Sequence, residues 1–164
     1  MRGAHMKSKK KQIKVAVCVI TYNHERYIAQ ALEGILAQKT SFPVTLFIGE
    51  DCSTDKTRDI CIQYKNAHPD RIELLLNDEN NLPVNAYRTH QACVRSNANY
   101  IALCDGDDYW SDVYKLQKQV DFLEAHPTYA ACHHRVQLVY EDGSGRDSAV
   151  QYCAREELSL HDIL

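Results

Sequence analysis

The stretch Tyr100-Ile-Ala-Leu-Cys-Asp-Gly-Asp-Asp-Tyr-Trp110 is an apolar run that stops abruptly in three carboxylates and two aromatics. Tyr100 to Cys104 has the length and apolarity of a short strand covered on both faces. Asp105, Asp107 and Asp108 then stand at its carboxyl end. Acids this close repel one another, and the arrangement is tolerable only if they are fully solvated or share a cation. Oxygen ligands on so tight a turn suit a hard divalent ion, Mg²⁺ or Mn²⁺. Gly106 is expected to let the backbone bend so that Asp105 and Asp107 point to one side.

An acidic surface turn without a metal is the competing reading, because Asp-x-Asp alone is a short pattern. Its position favours a ligand, since open α/β sheets bind ligands beyond the carboxyl ends of their strands. A calcium loop of the EF-hand type fails on its residues. Counted from Asp105, the sixth position is Trp110 where glycine is needed, and the twelfth is Leu116 where glutamate is needed.

Outward from this stretch, strands and helices alternate. Ile13 to Ile20 is a continuous Val/Ile-rich run, read as a first buried strand. Asn23 is the expected cap of a helix whose Ile28, Ala31, Leu32, Ile35 and Leu36 recur at helical spacing. Val44 to Ile48 forms a second strand, ended by Gly49-Glu-Asp-Cys-Ser-Thr-Asp55, and a helix carrying Ile60, Cys61 and Tyr64 follows. Ser53-Thr54-Asp55 reads as that helix's cap rather than as a ligand contact. Arg71 to Leu76 gives a third strand. Val84 to Asn97 is expected to be a helix with a partial apolar face of Tyr87, Gln91 and Val94.

After the central stretch, Ser111 or Asp112 is expected to cap a helix carrying Val113, Leu116, Val120 and Leu123, which His126-Pro127 ends. Tyr129 to Tyr140 and Ser148 to Cys153 read as two strands around a turn at Glu141 to Gly145, and Leu158 to Leu164 as the first turns of a helix. The fold class is therefore α/β, a mostly parallel central sheet with helices on both faces. Residues 1–12 form a basic, tag-like tail, and 13–164 a single domain. Thr21-Tyr22-Asn23, Glu50-Asp51 and Asp105-Gly-Asp107-Asp108 all fall at strand ends, which a parallel sheet lines up along one rim.

Composition excludes several classes. The chain of 164 residues is long enough for a real core, and a net charge of -3 offers no electrostatic footprint for nucleic acid. Seven cysteines, odd in number and without a Cys-x-x-Cys pair, read as small core residues in a reducing compartment. His133-His134 would point to opposite faces of a strand, and the histidines are too scattered for a metal site. The longest apolar run is far too short to span a bilayer, and no signal-peptide pattern is present, so a cytoplasmic location is expected. No Gly-x-Gly-x-x-Gly or Gly-x-x-x-x-Gly-Lys-Ser/Thr follows a strand. That argues against dinucleotide and P-loop enzymes and leaves a metal to handle ligand phosphates.

Val19-Ile-Thr-Tyr-Asn23, Gly49-Glu-Asp-Cys-Ser-Thr-Asp55 and Ala102-Leu-Cys-Asp-Gly-Asp-Asp-Tyr-Trp110 together resemble the family 2 glycosyltransferases in motif, order and separation. Lys115 to Leu123 also looks like the helix that follows the acidic motif in bacterial members. The resemblance implies a GT-A-like nucleotide-diphospho-sugar transferase fold and sugar transfer with inversion, from a UDP-sugar or related donor to a glycan or lipid-linked acceptor. It implies that Thr21, Tyr22, Asn23, Glu50, Asp51 and Asp105 form the nucleotide site, with Tyr22 against the base and Asp51 accepting a hydrogen bond from it. Asp105 and Asp107 would hold Mg²⁺ or Mn²⁺ against the diphosphate, with Asp108 supporting the metal shell or the loop.

Alternatives accompany several of these residues. Glu50 reads equally as a solvated turn acid or a structural residue beside Asp51. Tyr109 and Trp110 read as loop closure onto the core before sugar stacking, and Arg88 as a solvated face before a phosphate contact. The family's catalytic base and acceptor-binding half are expected beyond Leu164, since none of Glu141, Asp142, Asp147, Glu156, Glu157 or Asp162 stands in a matching motif. Peripheral membrane association would come through the same missing regions. Two further classes compete: a non-catalytic nucleotide-sugar-binding module, and a nucleotidyltransferase, whose glycine-rich loop Thr21-Tyr22-Asn23-His24 lacks.

Overall fold

The computed structural model describes residues 13–140 and 148–150. The chain forms two compact units, one running to Phe122 and the other starting at Leu123. In the first, four parallel strands stand in the order β3-β2-β1-β4. These are β1 (Val15–Thr21), β2 (Val44–Glu50), β3 (Ile72–Leu76) and β4 (Tyr100–Asp105). Helices α1 (Ile28–Leu36), α2 (Thr57–Ala67), α3 (Leu82–Arg95) and α4 (Lys115–Ala125) connect or follow them. The second unit holds a two-stranded antiparallel ribbon, β5 (Val136–Leu138) with β6 (Ser148–Val150).

Alternation along β1 and β2 creates two different faces. Val15, Val17, Val19, Leu46 and Ile48 form one core with Ile28, Leu32 and Ile35 of α1, Cys61 of α2, and Trp110, Leu116 and Val120. Each fully buried Leu or Ile there contributes about 1.5–3 kcal/mol of transfer free energy. The opposite face mixes small residues with Phe47. Ala16, Cys18 and Phe47 meet Cys93 of α3, and a Cβ on Gly49 would lie 2.0 Å from Thr89 Oγ1. Small side chains bring α3 close to the sheet, so its buried face is Asn85, Thr89 and Cys93. The expected apolar face is the outer one: Tyr87 and Val94 are exposed. Periodicity of large apolar residues misled here because close approach, not apolar bulk, seats this helix.

Three other expectations are corrected. Asn23 does not cap α1, which starts at Ile28 after a turn in which Tyr27 and Ile28 donate their N–H groups to the His24 carbonyl. Asn23 is in the left-handed region at φ 54°, and its side chain serves another loop. β4 is an edge strand of the sheet rather than a doubly covered one. Ala102 and Cys104 face the larger core and Ile101 the smaller, but Leu103 is 69% exposed. Strand β5 covers only Val136–Leu138 of the span from Tyr129, whose first residue belongs to a turn in which Tyr129 N–H donates to the His126 carbonyl. His133 and His134 lie outside any strand. The turn at 141–145, Cys153 and the helix expected over 158–164 lie outside the described residues.

Asp112 takes the N–H of Tyr114 in the turn before α4, but the N–H of Leu116 is satisfied from a distance. Gln38 Oε1 accepts it at 3.0 Å, while Gln38 Nε2 donates to the Asp112 carbonyl at 2.8 Å. One buried amide thus joins the end of α1 to the start of α4. Among the described residues no helix is long and apolar enough to cross a membrane.

Candidate functional site

Register puts the three strand ends side by side. Thr21 is opposite Glu50, and Ile20 is opposite Asp105, across β1–β2 and β1–β4 respectively. The loops that leave them form the rim. Asp51 N–H donates to the Thr21 carbonyl and Gly106 N–H to the Ile20 carbonyl, so both acidic turns are tied to β1.

The first two loops clasp one another through reciprocal hydrogen bonds. Asn23 N–H donates to Ser53 Oγ at 3.0 Å, and Thr54 N–H returns to Asn23 Oδ1 at 2.8 Å. One turn on, Glu25 N–H donates to Asp55 Oδ2 at 3.1 Å and Lys56 N–H to Glu25 Oε2 at 3.0 Å. Asp55 also accepts the Thr57 N–H at the start of α2, the capping function its position in the sequence implies. Burial opposes ionisation of Asp55, but the Thr57 and Glu25 donors outweigh it and hold its carboxyl below the usual range. Tyr22, 37% exposed, sits at the edge of this clasp.

Glu50 and Asp51 point away from water. Glu50 is fully buried, and its two oxygens accept Ser53 N–H at 2.7 Å and Arg58 Nε at 2.5 Å. Arg58 also donates to the Asn77 carbonyl, while Asn77 Nδ2 donates to the Glu50 carbonyl. Asp51, equally buried, accepts Asn80 Nδ2 at 2.9 Å, Asn81 N–H at 3.0 Å and Asn85 Nδ2. The segment between β3 and α3 therefore closes over Asp51. Asn80 and Asn85 escaped the sequence reading, though a run of asparagines after a strand that ends at a rim was the available signal. Arg88 contacts Asn77 Oδ1 at 2.9 Å, which makes it part of this network.

The acidic turn remains open to solvent. Asp105, Asp107 and Asp108 are exposed, and Gly106 between them is buried. Gly106 is needed for close approach: a Cβ there would fall 2.5 Å from Thr21 Oγ1 and 2.8 Å from His24 Nδ1. Its φ lies outside the left-handed region, so the expected reason for the glycine, a special bend, gives way to a steric one. Trp110 is core: it is 8% exposed, with Lys115 Nζ 4.1 Å from its ring centroid, while Tyr109 stays exposed. Burial pushes the Cys61 and Cys104 thiols up to about 12, which keeps them protonated and unsuited to metal binding.

Among the described residues no three His, Cys, Asp or Glu side chains converge as a closed metal cage. Two exposed carboxylates on a turn fit a different type of site, in which Mg²⁺ or Mn²⁺ is held by one or two carboxylates plus substrate phosphate oxygens. Asp105 and Asp107 are the residues that would hold it.

A parallel sheet with helices, whose strand ends carry two buried acids and an open acidic turn, is an α/β architecture that matches glycosyltransferases of the GT-A fold. The chain belongs to glycosyl transferase family 2, whose model matches residues 16–157. An uncharacterised protein of Mycobacterium tuberculosis is 38% identical over 150 residues, covering 92% of this chain and 43% of its own. TuaG of Bacillus subtilis, a glycosyltransferase named for teichuronic acid biosynthesis, is 33% identical, covering 92% of this chain and 56% of its own. The chain thus spans about half the length of these relatives. Among solved structures, S. aureus TarS in complex with UDP-GlcNAc matches at TM-score 0.59 and 26% identity, over 70% of this chain and 32% of that one. The mannosyltransferase PcManGT of Pyrobaculum calidifontis, in complex with GDP-Man and Mn²⁺, matches at TM-score 0.60 and 26% identity, over 70% of this chain and 33% of that one.

Proposed function

We propose that this chain is the donor-binding part of a glycosyltransferase. It would move a sugar from a nucleotide-diphosphate sugar, a UDP-sugar being the first to test, to a glycan or lipid-linked acceptor in cell-surface polysaccharide synthesis. The observation that carries the reading is the pairing of a buried acid, Asp51, with an open acidic turn, Asp105 to Asp107, on one sheet rim. These two environments suit the two ends of a nucleoside diphosphate. Asp51 is held by donors from residues 80–85 and would accept an N–H from the base. Tyr22 would cover the base's face, and Thr21 and Asn23 would shape the pocket through the clasp.

At the other end, Asp105 and Asp107 would hold a divalent cation. When bound, that cation would neutralise the charge that develops on the departing nucleoside diphosphate. Asp105, at the last residue of β4, would keep the cation next to the ribose side of the pocket, and Asp107 would present its carboxylate outward. Glu50 would serve the pocket indirectly by fixing Ser53 and Arg58. The similar structures support this reading by likeness: one is in complex with UDP-GlcNAc and the other with GDP-Man and Mn²⁺. A cytoplasmic location, with any membrane contact made through other parts of the protein, accords with the free cysteines at 18, 52, 61, 93, 104 and 132.

Calorimetric titration with UDP, with Mn²⁺ present and then with EDTA, tests the proposal. The expected result is affinity that depends on the metal. Equal affinity in both conditions would remove the metal role.

A further inference from the structure

We propose that His24 is a positioning residue for the acidic turn: its imidazole, oriented by Thr21, sets the Asp107 carboxylate for a divalent cation. The inference rests on the metal-assisted reading above. His24 lies on the loop after β1, and its ring bridges two rim elements. Nδ1 is 3.3 Å from Thr21 Oγ1, and Nε2 is 3.8 Å from Asp107 Oδ2. Side-chain exposures of 25% for His24 and 53% for Asp107 place the ring inside and the carboxylate outside. A carboxylate is acceptor-only, so the ring attracts Asp107 in the tautomer whose Nε2 carries the proton. In the neutral ring that makes Nδ1 the acceptor and the Thr21 hydroxyl its donor. Thr21 is 1% exposed, which keeps its hydroxyl from turning to bulk water.

The surrounding backbone is built around this bridge. Gly106 packs so closely on Thr21 and His24 that a Cβ would lie 2.5 Å from the Thr21 hydroxyl oxygen and 2.8 Å from Nδ1, and Gly106 N–H donates to the Ile20 carbonyl at 2.9 Å. Turn, threonine and imidazole are therefore one packed unit. At 3.8 Å the ring acts on Asp107 as an oriented dipole rather than through a hydrogen bond. It attracts Oδ2 and leaves Oδ1 free to face a cation, the relation that groups behind a metal ligand commonly have to it. His24 is not itself a ligand in this account.

The test measures UDP affinity, with Mn²⁺ and with EDTA, and thermal unfolding, for the wild type, His24→Ala, His24→Gln and Thr21→Val. His24→Ala should lose about 10–100-fold in the Mn²⁺-dependent part of the affinity, with affinity in EDTA and the unfolding temperature kept. His24→Gln, whose amide nitrogen can reach the same place as Nε2, should recover most of the loss. Thr21→Val should lose part of the Mn²⁺-dependent gain because the ring is no longer held. A wild-type gain retained in His24→Ala would overturn the inference alone, as would a Gln variant no better than Ala. Equal losses with Mn²⁺ and with EDTA would reduce His24 to a packing role. Absence of any Mn²⁺-dependent gain in the wild type would remove the metal reading and the inference with it.

Discussion

Glu50 and Asp51 are adjacent acids at the end of one strand, both fully buried, yet their surroundings give them different work. Glu50 is consumed by Ser53 and Arg58. Asp51 is held by Asn80 and Asn81 of the loop before α3 and by Asn85 of α3 itself, donors that a bound base would have to displace. The family resemblance grouped them together as nucleotide-site residues. Substituting Glu50→Ala would leave the Ser53 N–H unpaired and Arg58 without its carboxylate. Because Arg58 keeps partial access to solvent, at 30% side-chain exposure, the expected loss is about 1–3 kcal/mol of stability, read as a lower urea midpoint. Donor affinity, extrapolated to the folded fraction, should fall only in part, through the loosened Ser53 loop; a loss of affinity without a loss of stability would instead make Glu50 a ligand contact.

At the scale of elements, apolar periodicity revealed α1 correctly and the alternation of strands and helices indicated a mostly parallel sheet, while two kinds of information were hidden. The face on which α3 packs depends on Gly49 and Thr89 meeting across the sheet, a pair forty residues apart that no local pattern links. The clasp between the loops after β1 and β2 depends equally on distance: Asn23, Glu25, Ser53, Thr54 and Asp55 are polar turn residues to local inspection, but they satisfy each other's backbone. Acid should loosen that clasp. The folded carboxyl of Asp55 lies below its ordinary value, so its stabilisation is complete above the unfolded value of about 3.9 and is lost as pH falls through the lower folded one. Asp55→Ala should therefore cost about 0.5–2 kcal/mol at pH 7, and the gap to the wild type in urea unfolding should narrow towards pH 3. A gap that stayed constant with pH would show that the carboxylate's charge contributes nothing there.

For the whole molecule, the decisive fact was legible from the start: three motifs at three strand ends, and a parallel register that aligns them. The acidic turn and Asp51 could be picked out because each ends a strand. The asparagine cover on Asp51 left only the run of asparagines after β3 as a signal, and the His24 bridge left none, because it arises from a loop whose conformation follows from packing. The chain belongs to glycosyl transferase family 2, and under the proposed function the rim would divide donor binding into a base end and a phosphate end. This division is the central claim, and calorimetry of Asp51→Ala and Asp107→Ala with uridine and with UDP, each with Mn²⁺ and with EDTA, tests it most directly. Asp51→Ala should weaken uridine and UDP alike, by about 1.5–3 kcal/mol for a charge-assisted hydrogen bond, and Asp107→Ala should remove only the Mn²⁺-dependent gain for UDP. Loss of the same component of binding in both variants would contradict the account.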